Sequence, residues 1–126
     1  MDDAAHQVLE FNTQVWDDDA ELYMHARYFG NEAKLPHWSR CNGWASWAMS
    51  EVLMHLPPSH RDYPTILAHF QKHCGSLLRF QHESGLWRNV LDHPDSSLEV
   101  SGSAIFVMAM ARGLMRGWLD EKVFRP

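Results

Sequence analysis

The 126-residue sequence lacks several features that identify large classes of protein. It contains no run of lysine or arginine, and its 11 basic and 16 acidic residues give a formal net charge of −5. Because nucleic-acid surfaces need clustered positive charge, we expect no nucleic-acid partner. No apolar run approaches the roughly 20 residues of a membrane-spanning helix, so we expect no membrane partner either.

Cysteine is also scarce. Cys41 and Cys74 lie far apart and form no Cys-x-x-Cys pattern, whereas disulfide-stabilised scaffolds use more cysteines at tighter spacing. We interpret both as free thiols in a reducing compartment. The first residues, Met-Asp-Asp-Ala-Ala-His, are acidic and contain no apolar signal core. These features predict a cytoplasmic protein.

The remaining composition is that of an ordinary globular domain. Hydrophobic residues make up 45% and charged residues 21% of the chain, which is not typical of a disordered protein. The length predicts a single domain over residues 1–126 that is large enough to bury its own core.

Apolar spacing predicts four main helices, at about 4–16, 42–56, 64–83 and 102–116. Pro64 suits a first helical turn, and Ser101 is a plausible N-cap. Residues 21–28 indicate a short aromatic arm, 30–36 a loop and 86–91 an extended piece. Helices joined alternately by turns and by longer arms are typical of an all-α toroid built from helical hairpins.

Several patterns could carry chemistry, but each has a simpler interpretation. His69 and His73 are spaced to chelate a metal from one helical face, yet no flanking glutamate accompanies them, so we expect no metal there. Cys41 lies near a helix start that could lower its pKa, but the sequence assigns it no partner histidine. No Gly-x-Ser-x-Gly elbow supports a serine hydrolase.

The acidic residues also have simple structural interpretations. Residues 17–19 form an Asp-Asp-Asp run after the first helix, which we interpret as a solvated turn. Asp92, Asp95 and Glu99 surround the last turn. Glu99 precedes a helix, where a carboxylate interacts favourably with the helix dipole.

The run Arg40-Cys41-Asn42-Gly43-Trp44 combines groups suited to an acidic sugar. An arginine fork grips a carboxylate with two parallel hydrogen bonds, and a tryptophan face meets the C–H side of a sugar ring. Asn42 could also cap the following helix, and Gly43 permits a close backbone approach.

Trp38 and His25 could complete this sugar-binding set. The structural alternative is an arginine paired with a carboxylate of the protein and two tryptophans in the core. Residue spacing alone does not decide between these two interpretations.

The segment 38–45, Trp-Ser-Arg-Cys-Asn-Gly-Trp-Ala, resembles a motif of the unsaturated rhamnogalacturonyl and glucuronyl hydrolases. These are glycoside hydrolase family 105, and family 88 is its relative. Further segments agree in order along nearly the whole chain, namely 16–19, 22–25, 85–87, 90–92, 98–104, 111–113 and 116–119. Their joint match is far more specific than any one motif.

The resemblance implies an (α/α)6 barrel made of six helical hairpins and a reaction that needs no metal and no organic cofactor. It also implies a substrate that ends in an uronic acid with a C4=C5 double bond, as in an unsaturated uronic-acid oligosaccharide. An aspartate acts as general acid and base while water adds to the double bond, and the resulting hemiketal opens to release the neighbouring sugar. Carried over by position, Arg40 meets the sugar acid, Trp38 and Trp44 are pocket aromatics, and His25 is the histidine of the arm.

The sequence departs from the family pattern mainly in length. The family barrel is much longer, and we find no counterpart of the segment that carries the catalytic aspartate. We therefore interpret the chain as an internal part of the barrel, inactive alone, with its catalytic residue unknown. The alternatives are a non-catalytic module that binds acidic sugars and a helical scaffold. A partial barrel exposes apolar helix faces, so we also expect a homo-oligomer.

Overall fold

The computed structural model describes residues 1–28, 30 and 33–124 and is mainly helical. Its elements are α1 (Asp2–Val15), β1 (Trp16–Asp17), β2 (Leu22–Tyr23), α2 (Ser39–His55), α3 (Tyr63–Arg79), β3 (Trp87–Arg88), β4 (Leu98–Glu99), α4 (Val100–Met115) and α5 (Glu121–Phe124). The four main helices and the all-α class are confirmed. In the described part of the chain, no helix is both long and apolar enough to cross a membrane.

Each long connection between helices contains a short antiparallel ladder. β1 pairs with β2 before α2, and β3 pairs with β4 immediately before α4. An isolated bridge between Trp38 and Val90 joins the two connections. The predicted aromatic arm therefore contains a strand, while the predicted loop at 30–36 lies partly outside the described residues. Both ladders lie in the connections that precede α2 and α4.

The observed helix boundaries follow from local capping. α2 begins three residues earlier than predicted, because Trp38 is extended and its carbonyl accepts a hydrogen bond from the Asn42 N–H at 3.0 Å. At α4 the predicted cap was wrong. Glu99, not Ser101, caps this helix, and its carboxylate accepts hydrogen bonds from the N–H groups of Ser101 and Gly102. A carboxylate there also complements the helix dipole.

α2 and α4 pack closely against each other, and Gly43 permits the approach. A Cβ built at Gly43 would lie 3.1 Å from the Cβ of Ile105 on α4. The hydrophobic core beside this contact includes Met49 of α2, Phe70 of α3 and Phe106 of α4. The close backbone approach at Gly43 is therefore to α4, whereas the sequence interpretation placed it in the sugar-binding set.

Candidate functional site

The aromatic arm folds back onto the start of α2. The His25 ring stacks on Trp38 with ring centroids 4.6 Å apart and planes 13° from parallel. The backbone N–H of His25 donates to the Pro36 carbonyl at 3.2 Å, and His25 Nδ1 lies 3.2 Å from the same oxygen. Two of the four predicted sugar contacts therefore meet as one stacked pair.

Asn42 holds the arm in this position. Its Oδ1 accepts from the Tyr23 N–H at 2.8 Å, and its Nδ2 donates to the carbonyls of Tyr23 at 2.9 Å and Trp38 at 3.0 Å. Asn42 is fully buried inside α2, so the interpretation of this residue as a helix cap was wrong. Its side-chain amide pairs with both the N–H and the carbonyl of Tyr23, as the backbone of a neighbouring strand would, and so links the arm to the helix.

Arg40 and Trp44 lie one turn apart on α2 and are both accessible. Trp44 is 56% exposed and Trp38 is 38% exposed, so neither is a core tryptophan. Arg40 Nη1 lies 3.7 Å from Glu99 Oε1. That separation makes an ion pair but exceeds hydrogen-bond length. The interpretation of these tryptophans as core residues therefore fails, while the pairing of Arg40 with a carboxylate of the protein is present but loose.

A largely apolar cavity of about 640 Å³ opens between α1 and α2. Its lining includes His25 and Trp44 together with Phe11 and Glu10 of α1. Sequence reasoning missed Phe11, which is exposed despite being aromatic. Arg40 and Trp38 are not among the lining residues. The cavity thus unites two of the four predicted contacts, and the other two lie beside it at the start of α2.

Glu99 joins α4 to the start of α2. Besides capping α4, its Oε2 accepts from the Ser39 hydroxyl at 3.2 Å, and Oε1 faces Arg40. Burial alone raises the pKa of Glu99, but hydrogen bonds from Ser101, Gly102 and Ser39 outweigh it, so the net pKa is lowered. The carboxylate is therefore held ionised, and the sequence-based dipole interpretation described only part of its role.

The candidate chemistry at cysteine and histidine is not supported by the geometry. Both cysteines are free, and burial raises the pKa of the Cys41 thiol despite the nearby Arg40 charge. His73 is fully buried, with Nδ1 3.1 Å from the Ser46 hydroxyl and Nε2 3.0 Å from Asn42 Oδ1. Among the described residues, no group of three or more His, Cys, Asp and Glu residues is arranged to hold a metal.

The acidic run after α1 was only partly predicted. Asp18 and Asp19 are exposed, but Asp17 is buried. Its Oδ1 accepts from Lys34 Nζ at 3.0 Å, and its Oδ2 lies 3.4 Å from Nε2 of the buried His37. Burial alone raises the pKa of Asp17, while hydrogen bonds led by Lys34 lower it overall.

The other ring nitrogen of His37 lies 2.7 Å from Asp92 Oδ2. His37 therefore links the connection between α1 and α2, where Asp17 lies, to the connection between α3 and α4, where Asp92 lies. No local pattern indicates this contact, because Asp92 is 55 residues away from His37.

The family of the chain is shown by comparison with known proteins. The model of Glycosyl Hydrolase Family 88 matches residues 1–126, and the chain belongs to this family. An unsaturated rhamnogalacturonyl hydrolase of Bacillus subtilis is 36% identical over 96 residues, which are 76% of this chain and 25% of that protein. An unsaturated 3S-rhamnoglycuronyl hydrolase of Formosa agariphila is 28% identical over 94% of this chain and 34% of its own length.

Solved structures agree with this assignment. A glycoside hydrolase from family 105 of C. acetobutylicum matches with a TM-score of 0.88 at 27% identity, covering 96% of this chain and 37% of that one. A family 88 glycosyl hydrolase of Bacteroides vulgatus matches with a TM-score of 0.82 at 26% identity, covering 94% and 37%. The fold is therefore part of an (α/α)6 barrel, and the chain spans about a quarter to a third of the curated relatives it matches.

Proposed function

We propose that the 126-residue chain forms one wall of a site for an unsaturated uronic-acid oligosaccharide in a family 88 hydrolase. The observation that carries the proposal is the accessible set of Trp38, Arg40 and Trp44 at the start of α2, with His25 of the aromatic arm stacked on Trp38. The relatives support this substrate class, because their names describe hydrolases of unsaturated rhamnogalacturonyl or rhamnoglycuronyl compounds.

Each side chain has a physical role in this proposal. Arg40 is half-exposed and only loosely paired with Glu99, so a ligand carboxylate can approach its guanidinium group. Trp44 presents an apolar ring to the cavity, and sugar C–H groups pack against such rings. The stack with His25 limits the motion of Trp38, which lowers the entropy lost when a ligand binds.

Calorimetric titration with an unsaturated rhamnogalacturonyl disaccharide tests the proposal. Arg40→Ala should weaken binding roughly tenfold or more, because a charge-assisted hydrogen bond contributes about 1.5–3 kcal/mol. Arg40→Lys should recover only part of the affinity, since lysine lacks the planar fork. Arg61→Ala removes an exposed arginine outside the site and serves as the matched control.

A methyl ester of the same disaccharide separates charge recognition from general sugar binding. The neutral ester should bind the unchanged chain about as weakly as the free acid binds Arg40→Ala. Equal affinity of the acid and the ester, or unchanged binding by Arg40→Ala, would exclude Arg40 as the carboxylate contact.

Turnover is a separate question. The conjugated uronate absorbs ultraviolet light, and hydration of its double bond removes this absorbance. We expect the 126-residue chain to bind without turnover, because the family assigns proton transfer to an aspartate whose segment has no counterpart here. Loss of such a group costs roughly 10²-fold or more in rate. Decay of the absorbance at an enzymatic rate would contradict this expectation and would mean that the 126-residue chain is itself an active hydrolase.

We also propose that the chain self-associates through α4. The outward face of this helix carries exposed apolar side chains, with Val100 69%, Val107 55% and Met115 80% exposed. Ala104 and Ala111 lie on the same face at helical spacing and are also exposed. Such an uncharged helix face is typical of a buried interface, and we assign it to a second copy of the chain.

Sedimentation equilibrium over a range of concentrations tests self-association. The unchanged chain should show a rising mass, and Val107→Glu should remain monomeric because it places a charge in the centre of the face. A monomeric mass for the unchanged chain at all concentrations would overturn this proposal.

Cytoplasmic location remains a prediction, with which the two free cysteines are compatible.

A further inference from the structure

Trp47 covers one face of Trp44. The two indole rings stack with centroids 5.1 Å apart and planes 13° from parallel. In the described part of the chain, no other pair of tryptophans is in ring contact. Neither the sequence motif nor the site described above gave Trp47 a role. An exposed tryptophan such as Trp44 would otherwise be free to change rotamer, so the stack restricts its orientation.

A chain of polar contacts holds Trp47 in turn. Its Nε1 donates to Glu51 Oε2 at 3.3 Å, and the same carboxylate oxygen accepts from Arg112 Nη1 at 2.6 Å. Arg112 belongs to α4 and also donates to the Ser50 hydroxyl at 3.1 Å. The Arg112 pairing leads the causes that lower the pKa of Glu51, so this carboxylate stays ionised and keeps accepting. The indole edge of Trp47 is thus tied to the α2–α4 contact.

The second face of Trp44 is the one available to a ligand. Trp44 lines the cavity between α1 and α2, whereas Trp47 does not. We propose that Trp47, anchored by Glu51 and Arg112, is a positioning residue that holds the Trp44 ring against the sugar. This inference rests on the proposed function. It assigns to α4 a part in shaping the sugar platform on α2.

Circular dichroism tests the stack without any ligand. Two stacked indoles produce an exciton couplet in the far ultraviolet, so the unchanged chain should show the couplet and Trp47→Phe should lose it. Trp16→Phe is the matched control, because Trp16 is a partly buried tryptophan outside the stack, and this variant should retain the couplet. Glu51→Ala keeps both indoles but removes the anchor, and it should weaken the couplet.

Calorimetry with the unsaturated disaccharide tests the positioning role. Trp47→Ala should weaken binding roughly three- to tenfold, the range expected for loss of one aromatic pair, and Trp47→Phe should restore most of the affinity. The affinity of Glu51→Ala should lie between the affinities of Trp47→Ala and Trp47→Phe. This last variant keeps the inference testable if Trp47→Ala does not fold.

The possible outcomes separate this inference from the proposed function. A chain that binds the disaccharide but shows no couplet, or that binds equally well after Trp47→Ala or Glu51→Ala, overturns the role of Trp47 alone. A chain that shows the couplet but binds no uronide overturns the proposed function, and the role of Trp47 in binding falls with it.

Discussion

At the scale of single residues, Asn42 connects the family motif to the fold. Its amide contacts the backbone of Tyr23 and Trp38 and the ring of His73. The sequence indicated that this asparagine mattered but assigned it the wrong task. A helix cap is a local feature, whereas Tyr23 and His73 lie 19 and 31 residues away. Spacing within one helix carries no information about such partners.

Replacing Asn42 by alanine should destabilise the protein. The buried N–H and carbonyl of Tyr23 and the ring of His73 would lose their partner, and an unsatisfied buried polar group costs about 1–3 kcal/mol. Urea denaturation should show a loss of roughly 2–4 kcal/mol. Gln7→Ala, at an exposed position on α1, should be nearly neutral. If Asn42→Ala lost no more unfolding free energy than Gln7→Ala, these hydrogen bonds would not secure the arm.

At the scale of elements, apolar periodicity predicted the four main helices, because each has an apolar face long enough to show a helical period. The two ladders were not predicted, since strands of two residues contain no period. The burial of Asp17 was not predicted either, because its partners Lys34 and His37 come from another segment. His25, Trp38, Arg40 and Trp44 were named from a motif, but the cavity wall formed by α1 depends on packing that no motif encodes.

The contact between α2 and α4 gives a paired test. Gly75 lies inside α3, and a Cβ there would meet nothing within 4 Å. Gly75→Ala should therefore stabilise the protein by about 0.5–1 kcal/mol, the usual gain in a helix interior. Gly43→Ala has the same intrinsic gain in helix stability, but its new Cβ would lie only 3.1 Å from the Cβ of Ile105.

Crowding in a packed core typically costs about 1–3 kcal/mol, so Gly43→Ala should be net destabilising in thermal unfolding. Equal stabilisation by the two substitutions would show that the helices separate without cost and that the close packing at Gly43 does not determine their positions.

At the scale of the whole molecule, His73 predicts how stability depends on pH. Burial lowers the pKa of this histidine from 6.5 to about 3, so the folded chain keeps it neutral while the unfolded chain protonates it. Its contribution to stability is fully present above pH 6.5 and is lost as the pH falls towards 3. The limiting slope is roughly 1.4 kcal/mol per pH unit for one proton.

Between pH 6.5 and 5, the free energy of unfolding should therefore change less with pH in His73→Gln than in the unchanged chain. The glutamine side chain can still donate a hydrogen bond to Asn42. His69 shifts in the same direction because it is partly buried and faces Lys72, so His69→Gln serves as the comparison. Carboxylates with lowered pKa values, such as Glu99, titrate below this window. An unchanged pH slope in His73→Gln would contradict a neutral, buried ring.

Trp38 and Trp44 are proposed to form part of an acidic-sugar site, and the six tryptophans of the chain can report on ligand binding there together. The measurement is a fluorine NMR titration of the 5-fluorotryptophan-labelled protein with the unsaturated disaccharide, with resonances assigned by single Trp→Phe variants. We predict saturable shifts of the Trp38 and Trp44 resonances that need roughly tenfold more ligand or higher to saturate in Arg40→Ala, while the resonances of the buried Trp87 and Trp118 stay in place. Titration without any change at Trp38 and Trp44, or with equal changes at all six, would contradict the account.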